Sequence, residues 1–217
     1  MPVQRPFPIR GLYAVTPESV DRAQLLAFAK QALAGGAVLL QYRDKSADSA
    51  ERLARAAELR QLCSAAGVPL IVNDAVDLAL AVGADGVHLG ADDGDPAAAR
   101  SRLGDGAIVG VSCYASLERA ERALAAGADY LAFGAAFASP TKPAAVPVSL
   151  PTIAEACRRF PARVAVIGGI TAENAVPLVA AGVSLLAVIT DLCAAPDLMA
   201  RARQYQSLFT GSGHDHA

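Results

Sequence analysis

The stretch Val82-Gly83-Ala84-Asp85-Gly86-Val87-His88-Leu89-Gly90 combines the end of a helix, a tight turn, a short strand and a polar strand end. Gly83 can take the left-handed conformation that ends a helix, and the apolar run Gly86–Leu89 predicts a buried strand. A similar phrase of small residues around glycine precedes three other apolar runs, at 34–37, 126–129 and 181–184. This repetition predicts a chain built from helix–turn–strand units.

Eight short runs are apolar at consecutive positions, as strands buried on both faces of a parallel sheet are. They lie at Leu12–Val15, Val38–Gln41, Leu70–Val72, Gly86–Leu89, Ile108–Val111, Tyr130–Phe133, Val164–Ile167 and Leu185–Ile189. Stretches with helical periodicity separate them, at 21–34, 48–66, 75–82, 95–103, 116–126, 151–159, 173–181 and 196–209. Eight such units in 217 residues predict an α/β protein with a single (β/α)8 TIM barrel. We expect the catalytic domain to span 1–210, followed by a disordered tail, 211–217.

Composition excludes several classes of partner. The net charge of −2 gives no general attraction to nucleic acid, and no apolar run reaches the roughly 18 residues that a membrane span needs. The N-terminal residues contain no apolar signal region, so we expect a cytoplasmic protein. Thr16-Pro17-Glu18 follows the first strand in place of a glycine-rich dinucleotide motif, which argues against a nicotinamide cofactor. The oligomeric state is not fixed by the sequence, and a homo-oligomer stays open.

Polar residues gather where strands lead into helices, and in a barrel those ends converge on the catalytic rim. After the second strand, alternation puts Gln41, Arg43 and Lys45 on one side. A guanidinium fork and an ammonium group suit a diphosphate. The alternative for this run is a solvated, charged loop.

Two carboxylates follow neighbouring strands. Asp74 comes directly after Asn73 at the end of the third strand, and Asp93 lies beyond His88 and the fourth strand. Carboxylates from adjacent strands can share one Mg²⁺ ion, which keeps waters and substrate phosphates as further ligands. The alternative for both is a helix N-cap. His88 is either a base or a packed histidine at the rim.

The remaining strand ends carry hydroxyls and glycines. Ser112 follows the fifth strand, and a long loop with Ser139, Thr141 and Lys142 follows the sixth. Gly168-Gly169 after the seventh strand exposes backbone N–H groups beside a helix N-terminus, and Ile189-Thr190 ends the eighth. This is where barrel enzymes usually bind a phosphate group. No serine or cysteine has an evident base partner, so the sequence does not indicate covalent catalysis.

Taken in order, these motifs resemble the thiamine-phosphate synthase family from Gly11 to about Asp191. The resemblance rests on Gln41-Tyr42-Arg43-Asp44-Lys45, Ile71-Val72-Asn73-Asp74, Ala84-Asp85-Gly86-Val87-His88-Leu89-Gly90, Gly110-Val111-Ser112, Pro140-Thr141-Lys142 and Ile167-Gly168-Gly169-Ile170-Thr171 with Asn174. It implies an enzyme that joins a hydroxymethylpyrimidine diphosphate to a thiazole phosphate, releasing diphosphate. The chain departs from the family where Ala91 replaces a common Gln and Thr190 a common Ser.

The resemblance also implies roles for individual residues. Contacts to the pyrimidine diphosphate would come from Gln41, Arg43, Lys45, Asn73, Ser112 and Lys142, and contacts to the thiazole phosphate from Ser139, Thr141, Gly169, Ile189 and Thr190. Asp74 and Asp93 would hold Mg²⁺, the expected cofactor. The predicted catalytic residues are Arg43, Lys45, Ser112 and Lys142.

The cations and the metal site favour a dissociative reaction, because they stabilise a departing diphosphate. Two alternatives stay open: a thiazole tautomerase on the same scaffold, and a phosphate-ligand sensor without catalysis. The tautomerase needs no diphosphate site, and the sensor lacks an appended DNA-binding element.

Overall fold

The structure is a computed structural model that describes residues 7, 9–18, 20–45, 48–138 and 147–210. Its strands are β1 (Gly11–Val15), β2 (Leu39–Tyr42), β3 (Leu70–Asn73), β4 (Gly86–Leu89), β5 (Ile108–Tyr114), β6 (Tyr130–Gly134), β7 (Val164–Ile167) and β8 (Leu185–Val188). Each strand pairs in parallel with the next, and β8 pairs with β1, so the sheet closes into a barrel in sequence order. The predicted (β/α)8 fold is confirmed.

Helices follow the strands on the outside of the barrel. They are α1 (Arg22–Ala34), α2 (Ser49–Ala66), α3 (Val76–Val82), α4 (Pro96–Leu103), α5 (Leu117–Ala125), α6 (Leu150–Arg159), α7 (Val176–Ala180), α8 (Thr190–Ala194) and α9 (Leu198–Thr210). Side-chain oxygens of Asp21 and Ser116 cap α1 and α5, at the start positions the sequence predicts. None of the helices in these ranges is long and apolar enough to span a membrane.

Two helix predictions are wrong. The stretch 196–209 is only the second of two helices, because the short helix α8 begins directly after β8. Ala195 is extended ahead of Pro196, as residues before proline tend to be, and this separates α8 from α9. The predicted helix 173–181 shrinks to α7, since Thr171 and Asn174 bond each other's backbone in a turn instead.

The core has two layers. One apolar cluster fills the barrel interior and includes Tyr13, Leu39, Ile71 and Tyr130, and a larger one lies between the strands and the helices. The interior is tight around Gly110, where an added Cβ would lie 2.0 Å from the ring of Tyr130. Gly110 therefore provides the space that the tyrosine ring occupies.

The glycines of the helix-to-strand turns take the conformation that the repeated phrase predicts. Gly36, Gly83, Gly127 and Gly182 all have φ between 61° and 96°. Because these tight turns lie at the amino ends of the strands, the longer and more polar connections all lie at the opposite rim. We therefore expect the functional site at that rim.

Candidate active site

The ends of β2 to β5 bring the predicted cationic and acidic residues to one side of the rim. Gln41 is buried in the barrel, where its amide Nε2 lies 2.6 Å from Tyr13 Oη. Tyr42 instead faces the helix layer and donates a hydrogen bond to Asp44 Oδ2 at 2.8 Å. The predicted alternation is therefore confirmed for Gln41 and Tyr42 at the end of β2.

Arg43 is held in place by residues of the β1–α1 connection. Thr16 is fully buried, and its Oγ1 accepts a 2.9 Å hydrogen bond from the Arg43 backbone N–H. The guanidinium Nη1 lies 2.6 Å from Glu18 Oε1. The Glu18 carboxylate therefore pairs with the Arg43 guanidinium, which the sequence assigns to a diphosphate. Sequence reasoning missed Glu18, which lies just after the first strand.

Asp74 and Asp93 lie within hydrogen-bonding reach of each other. Burial, and then the neighbouring Asp93, raises the pKa of Asp74 from its ordinary 3.8 to about 6, whereas Lys45 and Arg43 act in the opposite direction. Two carboxyl groups so close together repel each other when both are ionised, and a cation between them would relieve the repulsion. The described residues contain no cluster of three or more acidic, histidine or cysteine ligands, so an ion held here would take its other ligands from water or substrate.

The capping alternative for these two carboxylates is wrong. Helix α3 begins after Ala75 without a side-chain cap, and α4 is capped by Asp95, whose side chain accepts a hydrogen bond from Ala97 N. Asp93 Oδ2 instead accepts a 2.9 Å bond from the backbone N–H of Gly90. Both carboxylates are thus available for a role other than helix capping.

A continuous chain of polar side chains crosses the barrel below the rim. From Gln41 Nε2 it runs to Tyr13 Oη (2.6 Å), Tyr130 Oη (2.7 Å), His88 Nδ1 (3.0 Å) and, through His88 Nε2, to Ser112 Oγ (2.9 Å). Burial lowers the pKa of His88 to about 4 and raises the pKa of both tyrosines. The five groups are therefore uncharged near neutral pH.

This polar chain corrects the expectation for Ser112 and decides between the two alternatives for His88. Ser112 does have a histidine partner, although the sequence suggested no base partner for any serine. His88 is a packed rim histidine, one of its two predicted alternatives, and it lies beside Asn73 in the register of β3 and β4. The missed members are Tyr13 and Tyr130. Their one available signal is that a tyrosine buried in a strand needs a partner for its hydroxyl.

Arg119 on α5 is another residue that sequence reasoning missed. Its Nε donates to the Ser112 carbonyl at 2.7 Å, and its Nη2 donates to the Gly90 carbonyl at 3.2 Å. One guanidinium thus joins the ends of β4 and β5 from outside the barrel. Arg119 lies on a helix and reaches back to the rim, so no sequence motif marks it as a rim residue.

The glycine pair after β7 forms the other side of the rim. Gly168 and Gly169 have φ of 105° and 61°, and a Cβ on Gly169 would lie 2.5 Å from the Ala138 carbonyl oxygen. Asn174 Nδ2 donates to the Gly169 carbonyl at 2.9 Å, which fixes the turn. Only a residue without a side chain fits here, and both glycines are partly exposed at the rim.

The adjacent end of β8 completes this side. Ile189 is the N-cap of the short helix α8 and Thr190 is its first residue, which is exposed. The sequence assigned both residues to a phosphate but did not predict the helix that they begin. Because β7 and β8 are neighbours in the barrel, their ends lie side by side.

Several predicted residues lie outside the described residues: Ser139, Thr141 and Lys142 of the β6–α6 connection, and the tail 211–217. The described start of that connection pairs with the end of β7, through Ala136 N to the Ile167 carbonyl (2.9 Å) and Phe137 N to the Gly168 carbonyl (3.0 Å). The connection therefore leaves the barrel directly beside the glycine pair.

Comparison with known proteins agrees with this geometry. A family model described as thiamine monophosphate synthase matches residues 12–192. A thiamine-phosphate synthase of Azoarcus sp. strain BH72 is 57% identical over 201 residues, covering 93% of this chain and 98% of the relative. One from Aromatoleum aromaticum is 53% identical over 201 residues, covering 93% and 97%.

A solved structure is similar over almost the whole chain. It is the thiamine phosphate pyrophosphorylase from Pyrococcus furiosus, with a TM-score of 0.82 and 33% identity, and the match covers 93% of this chain and 96% of that one. The family model, the two relatives and the solved structure all match nearly the same part of this chain, which includes almost the whole barrel. The chain therefore belongs to the thiamine monophosphate synthase family and is a transferase of thiamine biosynthesis.

Proposed function

We propose that the rim joins 4-amino-2-methyl-5-(diphosphooxymethyl)pyrimidine to thiazole phosphate, giving thiamine phosphate and diphosphate. The observation that carries this proposal is the division of one rim into two unlike sides. Arg43, Lys45 and the Asp74–Asp93 pair lie on one side, and the glycine turn at Gly168-Gly169 lies on the other. Two phosphorylated substrates can meet between them without competing for the same groups.

The cationic side takes the pyrimidine diphosphate. Arg43 presents a fork that matches a phosphate group, and Lys45 is an exposed point charge beside it. Binding of the diphosphate would exchange the Glu18 carboxylate on Arg43 for a phosphate oxygen. Asn73, Gln41 and Ser112 line the barrel mouth next to this position and hold the pyrimidine.

The acidic pair fits Mg²⁺. Asp74 and Asp93 offer hard oxygen ligands. Burial, and then the neighbouring Asp93, raises the pKa of Asp74, and a divalent cation would relieve the repulsion between the two carboxylates. A bound Mg²⁺ would supply positive charge against the diphosphate leaving group. Two carboxylates without further protein ligands suit an ion that keeps water and phosphate oxygens around it.

The reaction is dissociative. The bond between the pyrimidine methylene carbon and the diphosphate oxygen breaks, and its electron pair leaves with the diphosphate, where Arg43 and Lys45 stabilise the new charge. The resulting pyrimidine-methyl cation is captured by the lone pair of the thiazole nitrogen, which forms the new C–N bond. The chain contributes position and electrostatics and forms no covalent intermediate.

The glycine side takes the thiazole phosphate. The proposed donors are the backbone N–H groups of Gly169, of Ile189 directly before α8 and of Thr190 at its first position. Ser139, Thr141 and Lys142 are assigned from the sequence resemblance alone. We take residues 1–210 as the catalytic domain and assign no role to the tail, 211–217.

The change Asp93→Ala tests the metal site. We expect turnover in Mg²⁺ to fall by at least about a hundredfold, because one of two carboxylate ligands is lost, with little change in the denaturation midpoint, since Asp93 is exposed. The matched control is Asp92→Ala, which removes the adjacent exposed carboxylate and should leave turnover close to wild type. Full turnover by Asp93→Ala would show that the carboxylate pair is not the metal site.

A further inference from the structure

The buried polar chain connects two residues assigned to substrate. Gln41 is at one end and Ser112 at the other, with Tyr13, Tyr130 and His88 between them. The members come from β2, β1, β6, β4 and β5, so the chain exists only because the barrel closes. Since the inner contacts are buried away from water, each donor needs an acceptor among these five side chains.

With Nε2 of the Gln41 amide facing Tyr13, hydrogen counting sets the direction of every bond. The amide Nε2 of Gln41 has only hydrogens to offer, so Tyr13 Oη accepts from it. Within the described part of the chain, the other contact of that hydroxyl is Tyr130 Oη, and the Tyr13 hydrogen therefore goes there. The Tyr130 hydrogen is then donated to Nδ1 of His88.

The same count determines the histidine tautomer. A neutral imidazole carries one hydrogen, and if Nδ1 accepts, that hydrogen is on Nε2. The Nε2–H group of His88 lies 2.9 Å from Ser112 Oγ and donates to it. Ser112 already accepts a hydrogen bond from within the barrel, so its own hydrogen is directed away from the histidine and toward the cleft.

We propose that Tyr13 and Tyr130 hold His88 as its Nε2–H tautomer, and that His88 in turn presents the Ser112 hydroxyl to the substrate as a hydrogen-bond donor. All three are positioning residues. The proposal rests on the proposed function in that Ser112 faces the pyrimidine substrate, whose ring nitrogens are acceptors. It also means that His88 is not a base for Ser112, even though the two side chains are in contact.

The opposite direction would describe a different enzyme. If the Gln41 carbonyl oxygen faced Tyr13, every bond would reverse, His88 would carry its hydrogen on Nδ1, and Nε2 would accept the Ser112 hydrogen. That arrangement is the nucleophile–base pair of covalent catalysis, in which a third group, usually a carboxylate, orients the imidazole. Here the third group is the neutral hydroxyl of Tyr130, which does not stabilise an imidazolium as a carboxylate does.

The tautomer can be measured directly by ¹⁵N NMR of the full-length protein labelled at histidine. The chain has three histidines, and the double change His214→Ala and His216→Ala leaves His88 as the sole signal. At pH 7.5 we expect a protonated Nε2 and an unprotonated Nδ1, unchanged in Tyr205→Phe, which removes another buried tyrosine hydroxyl. A protonated Nδ1, an imidazolium or an average of tautomers would overturn the proposal.

A kinetic cycle tests whether His88 acts through Ser112. We expect Ser112→Ala to lower kcat/KM for the pyrimidine diphosphate by about tenfold to a hundredfold, and His88→Leu to lower it similarly. In the Ser112→Ala background, His88→Leu should add less than about a threefold loss. Fully additive losses would assign His88 a purely structural role and contradict the proposal.

The conservative change His88→Gln gives a second, independent comparison. Its amide N–H can replace the Nε2–H donor to Ser112, so it should recover most of the activity that His88→Leu loses, and it serves in the cycle if the leucine variant does not fold. Equal losses in the two variants would count against donation from His88. Absence of diphosphate release by the wild-type protein would refute the proposed function while leaving the tautomer measurement valid.

Discussion

The carboxyl pair at the rim should destabilise the fold when no cation is bound, and Asp74→Asn measures the effect. Burial and then Asp93 raise the pKa of Asp74 from 3.8 to about 6. A raised carboxyl pKa means that the ionised form is disfavoured in the native state. The native protein therefore loses stability as the pH rises from about 4 to about 6, and this loss persists at higher pH. An asparagine at this position does not titrate and avoids the loss.

The magnitude follows from the shift. A change of about two pKa units corresponds to about 3 kcal/mol, at roughly 1.4 kcal/mol per unit. Because Asp74 is only half-buried, water and salt screen the repulsion, and we expect about 1 kcal/mol. Asparagine also tolerates the φ of 63° at this residue, which adds a contribution that does not depend on pH.

The assay is urea denaturation in EDTA at pH 4 and at pH 7.5. We expect the free energy of unfolding of Asp74→Asn, relative to wild type, to be about 1 kcal/mol larger at pH 7.5 than at pH 4, so that the variant gains relative stability at the higher pH. The control is Asp77→Asn, the same chemical change at an exposed carboxylate that pairs with Arg102, and it should not make the protein more stable than wild type at pH 7.5. An Asp74→Asn effect that is equal at both pH values, or a loss of stability at pH 7.5, would refute the reasoning.

Two further changes test the packing and the cation at the rim. In urea denaturation, Gly110→Ala should lower the free energy of unfolding by about 2–3 kcal/mol, since its Cβ would lie 2.0 Å from the Tyr130 ring. The control Gly106→Ala, whose Cβ would have nothing within 4 Å, should cost little; similar costs for the two variants would show that the barrel interior adjusts easily to the added methyl group. Glu18→Gln weakens the ion pair on Arg43 and should lower KM for the diphosphate substrate about threefold in steady-state kinetics, and a raised KM would instead mean that Glu18 holds Arg43 in its productive position.

The strands were predictable because each is apolar on both faces, and β2, β4, β6 and β8 also follow the repeated glycine turn. The predicted run Gly86–Leu89 and the strand β4 agree at both ends. The short helix α8 was not predictable in this way, since Thr190–Ala194 is too short to show helical periodicity. The boundary of α7 depended on side-chain bonds in the preceding turn, which residue type alone does not determine.

The rim residues were predictable because the carboxyl ends of all strands converge in a barrel. Alternation placed Gln41 correctly, and adjacency of β3 and β4 predicted that Asp74 and Asp93 would be close. The buried polar chain from Gln41 to Ser112 was not predictable, because Tyr13 and Tyr130 are 117 residues apart and meet only across the closed barrel. Its bond directions depend on atom positions that no sequence pattern encodes.

The most direct measurement is diphosphate release by the wild-type protein given both phosphorylated substrates, with Mg²⁺ and with EDTA. We expect diphosphate and thiamine phosphate in equal amounts with Mg²⁺, and neither in EDTA. Binding of thiazole phosphate without any diphosphate release in Mg²⁺ would contradict the joining reaction and favour the tautomerase instead.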